Sequence, residues 1–155
     1  MTQLKEGAQA PLFKGKDQDG NWVSLEDFKG KKVILYFYPK DDTPGCTVEA
    51  CNLRDNYEGL LSRGFVIIGI SPDNEKSHSK FKVKFELPFS LIADPKTQII
   101  QAYDAWGEKN MYGKKYMGVL RTTYVIDETG IILKIINKVN TGDHTSQILE
   151  ELGIN

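Results

Sequence analysis

Two short runs in the chain are apolar throughout: 33–38, Val-Ile-Leu-Tyr-Phe-Tyr, and 65–70, Phe-Val-Ile-Ile-Gly-Ile. A run that does not alternate, and is rich in β-branched and aromatic residues, predicts a strand covered on both faces. Between the two, Ala50, Leu53, Tyr57, Leu60 and Leu61 recur at helical spacing and stop near Gly64. They predict a helix that starts at Thr43-Pro44, with Thr43 as N-cap and Pro44 at the first helical position. Helical spacing also marks 75–85, through Phe81 and Phe85, and the terminal segment 145–152. Shorter strands are expected at 12–16 and 22–24 around the turn Asp17-Gln-Asp-Gly20, at 90–92, and at 122–127 and 131–137 around Glu128-Thr-Gly130. Residues 25–28 and 97–103 read as single helical turns, and the polar, aromatic, glycine-containing stretch 104–118 as a functional or capping loop. Strands alternating with helices, then a late hairpin and a helix, predict an α/β sandwich with a mixed sheet.

Composition narrows the class without changing that picture. At 155 residues the chain reads as one domain over 1–155. Twenty basic and 21 acidic residues leave a net charge of −1, with no basic stripe for nucleic acid and no acidic tail. The first eight residues lack an apolar core, so no signal peptide is expected. The apolar runs are too short to span a bilayer. The two cysteines, Cys46 and Cys51, are no scaffold for a secreted protein. A bridge closing so small a loop contributes only about 2 kcal/mol. The expected compartment is reducing and intracellular, the cytoplasm.

Both cysteines fall in one stretch, 36–51, where the first apolar run meets the predicted helix. With Thr43 as the cap, its side-chain oxygen can accept from the backbone N–H of Cys46, and the thiol lies in the first helical turn. Free N–H groups and the positive end of the helix dipole favour a thiolate there. Cys46 shares the line of Ala50, Leu53 and Tyr57 and so points toward the protein body. Cys51 is rotated by about 140° and raised by about 7.5 Å. The resulting Cα separation, roughly 8.7 Å, exceeds the ~7 Å a disulfide spans without backbone movement. The thiols either stay apart or join as the first turns unwind.

Several chemistries compete for these residues. Both cysteines can be small buried residues without chemical consequence. A structural zinc site wants four ligands, and only the isolated His78 and His144 remain. A dithiol oxidoreductase normally carries Cys-x-x-Cys, whereas four residues separate this pair. Cysteine-protease chemistry needs a partnered histidine, and His78 and His144, in a charged helix and by a polar turn, are expected to be solvated. Asp41 and Asp42 oppose a thiolate if they point inward, and are expected to face solvent.

Three motifs in order carry a specific resemblance. Pro39-x-x-x-Thr43-x-x-Cys46 resembles the active-site signature of the peroxiredoxins, thiol peroxidases on a thioredoxin-like fold with a mixed central sheet flanked by helices. The longer string from Tyr38 to Cys51 is similar to the peroxiredoxin Q, or bacterioferritin comigratory protein, subfamily. Trp106-Gly-Glu-Lys, Tyr112-Gly-Lys-Lys-Tyr-Met-Gly and Arg121-Thr-Thr-Tyr-Val-Ile-Asp match it downstream. The resemblance implies that Cys46 is the peroxidatic cysteine and Cys51 the resolving one. It implies that Thr43 bonds the thiolate and the peroxide, that Arg121 sits beside both, that Pro39 shields the sulfur and that Glu49 orients the arginine. It further implies a hydroperoxide substrate and an intramolecular disulfide. Thioredoxin or a similar dithiol is the implied reductant, with no metal, haem or flavin. An internal resolving cysteine permits a monomer, and a weak dimer remains compatible.

Magnitudes then decide where the catalysis must come from. An unperturbed thiol is about 3% thiolate at neutral pH, so complete ionisation adds only ~30-fold. The larger contribution has to come from stabilising charge that moves from sulfur onto the departing oxygen. Two readings outside the peroxidase remain open on sequence alone. One is a thiol–disulfide exchanger on the same fold, and the other a catalytically silent binding domain.

Overall fold

The computed structural model describes residues 4–154; the part of the N-terminal leader reading that falls on Met1 to Gln3 lies outside them. Nine strands and five helices follow in the order β1 (Lys14–Asp17), β2 (Trp22–Ser24), β3 (Lys32–Phe37), α1 (Pro44–Asp55), α2 (Tyr57–Ser62), β4 (Phe65–Ser71), α3 (Glu75–Lys84), β5 (Ser90–Ala93), α4 (Gln98–Ala102), β6 (Trp106–Met111), β7 (Lys114–Val119), β8 (Thr122–Ile126), β9 (Ile132–Ile136) and α5 (His144–Leu152), counted among the described residues. Short 3-10 turns occupy Leu25–Phe28 and Thr141–Asp143. Seven strands form one mixed sheet in the order β2-β1-β5-β4-β3-β8-β9. Strands β3, β4 and β5 run parallel, while β8 lies antiparallel to β3.

The unbroken apolar run is explained by its place at the centre of this sheet. Val33, Leu35 and Phe37 point into one hydrophobic layer, and Ile34 and Tyr36 into the other, which Tyr38 joins just past the strand. The second layer is completed by Cys46, Ala50 and Leu53 of α1, by Leu60 of α2, by Phe81 of α3 and by Ile148 of α5. The C-terminal end of β3 therefore delivers the chain directly into the loop that starts α1.

Two expectations need correction. The helix after Thr43 is not continuous to Gly64. Asn56 interrupts it, with its side-chain Nδ2 donating to the carbonyl of Asn52 at 2.8 Å. A side chain that satisfies the backbone in place of the next turn ends a helix. Residues 104–118 are not a loop either, because most of them pair as the separate β6–β7 hairpin. Its turn, Tyr112-Gly113, has φ of 52° and 82°, the doubly positive pattern of a tight two-residue hairpin turn. The hairpin was hidden because its strand faces are mostly exposed and carry little apolar alternation. Among the described residues no helix is long and apolar enough to cross a membrane.

Candidate active site

Thr43 is the N-cap of α1 by backbone geometry, with Pro44 at the start of the helix. Its carbonyl accepts from the Thr47 N–H at 2.8 Å. Its hydroxyl does not cap, however: it donates to the Lys40 carbonyl at 2.9 Å, across a turn in which Asp42 adopts φ of 58°. The bond expected from the Cys46 N–H to the Thr43 hydroxyl is absent, the hydroxyl being turned to the Lys40 carbonyl on the loop side. The first-turn amides consequently remain free for an anion.

Cys46 is 1% exposed and belongs to the α-helical side of the core. Arg121, just before β8, brings its guanidinium to it, with Nη2 3.3 Å from the Cys46 Sγ. The other arm, Nη1, donates to Glu49 Oε1 at 2.7 Å. Glu49 lies one helical turn beyond Cys46, so both acidic groups share the face that one planar fork can serve. Gly45 leaves room for it: a Cβ there would sit 3.3 Å from Arg121 Nη2. Burial pulls the Arg121 guanidinium down, but Cys46 and Glu49 outweigh it and hold the group above its ordinary value.

Glu49 is fully buried. Burial raises its carboxyl to about 7, and the guanidinium only partly opposes the rise. Its second oxygen, Oε2, has no hydrogen-bond partner, and neither does the buried Tyr36 hydroxyl. Burial, then Glu49, Cys46 and Asp41, push that hydroxyl well above its ordinary value. Tyr36 is a neighbour that the sequence did not single out.

Both histidines are buried rather than solvated. His144 accepts from or donates to Thr123 Oγ1 at 2.8 Å and meets Gln147 Oε1 at 2.9 Å, and its Nε2 stands 3.6 Å from Glu49 Oε2. His78 bridges Asp41 Oδ2 at 2.7 Å and the Ile92 carbonyl at 3.0 Å. Asp41 likewise departs from expectation. It is 7% exposed and takes donors from Tyr38 and Ser77, while its N–H donates to Asp73. Asp42 does face solvent, paired with Lys84 at 2.7 Å. Position on the helix is a signal that would have found both as buried: His78 lies on the line of Phe81 and Phe85, and His144 on that of Ile148 and Leu152.

Asp41, Asp73 and His78 are close enough to share a metal ion. Their facing atoms are already engaged by Tyr38, Ser77, Ser71 and the Asp41 N–H, so the cluster reads as the clamp of the loop before α1. The sequence-derived residues thus divide. Cys46, Arg121 and Glu49 come together, Thr43 and the half-buried Pro39 flank them in the loop, and Cys51 stays on α1 as a second free thiol.

The sequence pattern of the AhpC/TSA family matches residues 7–135. Peroxiredoxin Bcp of Bacillus subtilis is 46% identical over 149 residues, covering 96% of this chain and 95% of that protein. Peroxiredoxin Bcp of Escherichia coli is 43% identical over 152 residues, covering 98% and 97%. Among solved structures, the bacterioferritin comigratory protein of Xanthomonas campestris matches with a TM-score of 0.85 at 32% identity, over 91% of this chain and 90% of that one.

Proposed function

The chain belongs to the AhpC/TSA family, as a thiol-dependent peroxidase of the peroxiredoxin Bcp type on a thioredoxin-like fold, and from that premise we propose that Cys46 is its peroxidatic thiol and Cys51 its resolving thiol. The observation that carries this is the Arg121 fork, bonded at once to Cys46 Sγ and Glu49 Oε1 at the start of α1.

The Cys46 thiolate attacks one oxygen of a hydroperoxide. A sulfur–oxygen bond forms, the oxygen–oxygen bond breaks, and its electron pair departs on the other oxygen, which takes a proton and leaves as an alcohol or water. Arg121 and the free first-turn amides stand where negative charge grows during this step. The Thr43 hydroxyl, with its proton given to Lys40, offers an acceptor lone pair to the proton of the incoming peroxide. Pro39, beside the loop, limits solvent access. Cys46 is left as a sulfenic acid. Cys51 then attacks that sulfur: the new sulfur–sulfur bond forms as the sulfur–oxygen bond breaks, and the departing hydroxide takes the proton that the Cys51 thiol gives up and leaves as water.

Both cysteines lie within α1, so the disulfide requires local unwinding of this helix. Thioredoxin or a similar dithiol restores the pair by exchange. Alkyl hydroperoxides are proposed as substrates beside hydrogen peroxide, since the X. campestris relative is described for its alkyl peroxide reduction activity. The same reading takes the chain as one domain in the cytoplasm, with an internal resolving thiol that permits a monomer and is compatible with a weak dimer.

The test is peroxide consumption coupled to thioredoxin and its reductase. Cys46→Ser should be inactive, and Cys51→Ser should form one sulfenic acid and then stop. Full turnover by Cys46→Ser would overturn the assignment.

A further inference from the structure

One half-buried cation faces two acids at this site. Arg121 contacts Cys46 Sγ at 3.3 Å and Glu49 Oε1 at 2.7 Å. A thiolate and a carboxylate together would leave a net negative charge where burial already penalises charge. One proton on either acid removes the excess. The surroundings of Glu49 indicate which.

The hydrogen bonds of Gln147 fix the proton on His144. Its Oε1 accepts from the Asn140 N–H at 2.8 Å and its Nε2 donates to the Lys138 carbonyl at 2.7 Å, so the amide orientation is determined. His144 Nδ1, facing that Oε1 at 2.9 Å, therefore carries hydrogen. In the neutral ring Nε2 is bare, and it accepts from the Thr123 hydroxyl at 2.8 Å. Burial holds His144 down at about 4, which keeps the ring neutral. Glu49 Oε2 thus stands 3.6 Å from a nitrogen that carries no hydrogen and has no donor of its own. As a carboxylate oxygen it would be unsatisfied, whereas as a carboxylic acid oxygen it sheds the charge.

We propose that Glu49 is the proton store of the peroxidase reaction: in the reduced site it holds a proton on Oε2 against His144, and it gives that proton up as the Cys46 thiolate is consumed. His144 is then a positioning residue, whose bare nitrogen denies the carboxylate a donor. The inference rests on the assignment of Cys46 as the peroxidatic thiol.

The reaction balances on this basis. Sulfur loses two electrons to the peroxide, and the leaving oxygen takes the proton that Glu49 loses. Thiolate, carboxylic acid and hydroperoxide become sulfenic acid, carboxylate and alcohol, with no net exchange with the buffer. The count is the same whether the proton passes directly or through solvent. Once the thiolate is gone, the Glu49 carboxylate becomes the sole anionic partner of Arg121. The groups facing Glu49 from the packed elements are Cys46 on its own helix, Tyr36 on β3, Arg121 before β8 and His144 on α5. Only Cys46 changes charge in the step.

The experiment uses the full chain carrying Cys51→Ser, so that oxidation stops at the sulfenic acid. It is run in weak buffer about one pH unit below the Glu49 value of about 7, where the reduced site holds its proton. Thiolate absorbance first reports the state of Cys46, which should be ionised; a neutral thiol there overturns the proposal. A pH indicator then counts protons per sulfenic acid formed on adding hydrogen peroxide. The expected uptake is close to zero, rising to close to one when Glu49→Gln is added, because the leaving oxygen must then draw on the buffer. Equal uptake in both proteins overturns the proposal. Should the double variant not fold, infrared difference spectra of the Cys51→Ser protein decide: a protonated-carboxyl stretch should vanish on oxidation, and an unchanged spectrum in that region overturns the store. If no sulfenic acid forms at all, the peroxidase assignment of Cys46 fails and the store with it.

Discussion

Replacing Glu49 by glutamine keeps the shape of the buried side chain and an acceptor for Arg121, but removes the titration. The carboxyl is raised from 4.5 to about 7 in the folded chain by burial, which Arg121 only partly offsets. A raised value means that the folded state prefers the protonated acid. That preference is fully present below 4.5 and is lost as pH rises through about 7. The gap corresponds to about 3 kcal/mol, with no discount for solvent because the side chain is completely buried. E49Q has no such preference. Urea unfolding of reduced wild type and E49Q across this pH range should therefore show the variant gaining on wild type by about 3 kcal/mol. Other groups cancel in the difference. A flat difference would mean an ordinary carboxyl. A difference that fell with pH would mean that Arg121 wins over burial, and the reasoning would be refuted.

Four other outcomes follow from the same geometry. R121K puts a point charge in place of the fork, which cannot hold Cys46 and Glu49 together; the rate of sulfenic acid formation in stopped flow should fall on the order of 10²-fold or more. G45A should stabilise α1 by up to about 1 kcal/mol in thermal unfolding. It should nonetheless slow the peroxide step, because its Cβ lies 3.3 Å from Arg121 Nη2. D41N turns an amide donor or a weaker acceptor toward Tyr38, Ser77 and His78, and should cost about 1–3 kcal/mol in urea unfolding. Amide exchange should show the first turns of α1 protected in the reduced protein and opened in the disulfide form; equal protection in both would sink the unwinding step.

Much of this was legible in the sequence because the relevant signals are local. The run 33–38 announced a doubly covered strand, and Thr43-Pro44 announced a helix start. Cys46 and Cys51 were expected on that one helix, and both lie on it. What was missed depends on contacts between distant segments. Asp41 is drawn inward by His78, which lies 37 positions away, and nothing in the local charge pattern of 40–42 predicts that. His144 is buried by Thr123 and by α1 packing on α5, again a tertiary matter, although its place on the line of Ile148 was visible. Arg121 was reached only through the family resemblance, since its local sequence reads as a surface cation; β8 pairing antiparallel to β3 sets it beside the start of α1. The β6–β7 hairpin failed for the opposite reason, since a strand pair with exposed faces leaves little periodicity to read.

The anchoring of α1 is uneven along its length, and this bears on how one helix can serve both halves of the reaction. Its second half is held by hydrophobic burial of Leu53 and by Asn52, whose side-chain oxygen accepts the Thr145 N–H of α5 at 2.8 Å. Neither contact changes when sulfur is oxidised. Its first half is held instead through Arg121, which grips Cys46 and Glu49. On the proposed assignment, oxidation converts a Cys46 thiolate into a neutral sulfenic acid, so one arm of that grip loses its charge while the core contacts persist. The turn bearing Cys46 is thus the part whose restraint depends on the chemistry, whereas Cys51 sits next to the part that does not yield. A sulfur released toward a stationary second thiol needs fewer contacts broken than the reverse, since moving Cys51 would pull Asn52 and Leu53 from α5 and the core. The interruption at Asn56 adds to this: α1 does not run as a continuous helix into α2, and Leu60 is anchored in the core from that separate helix.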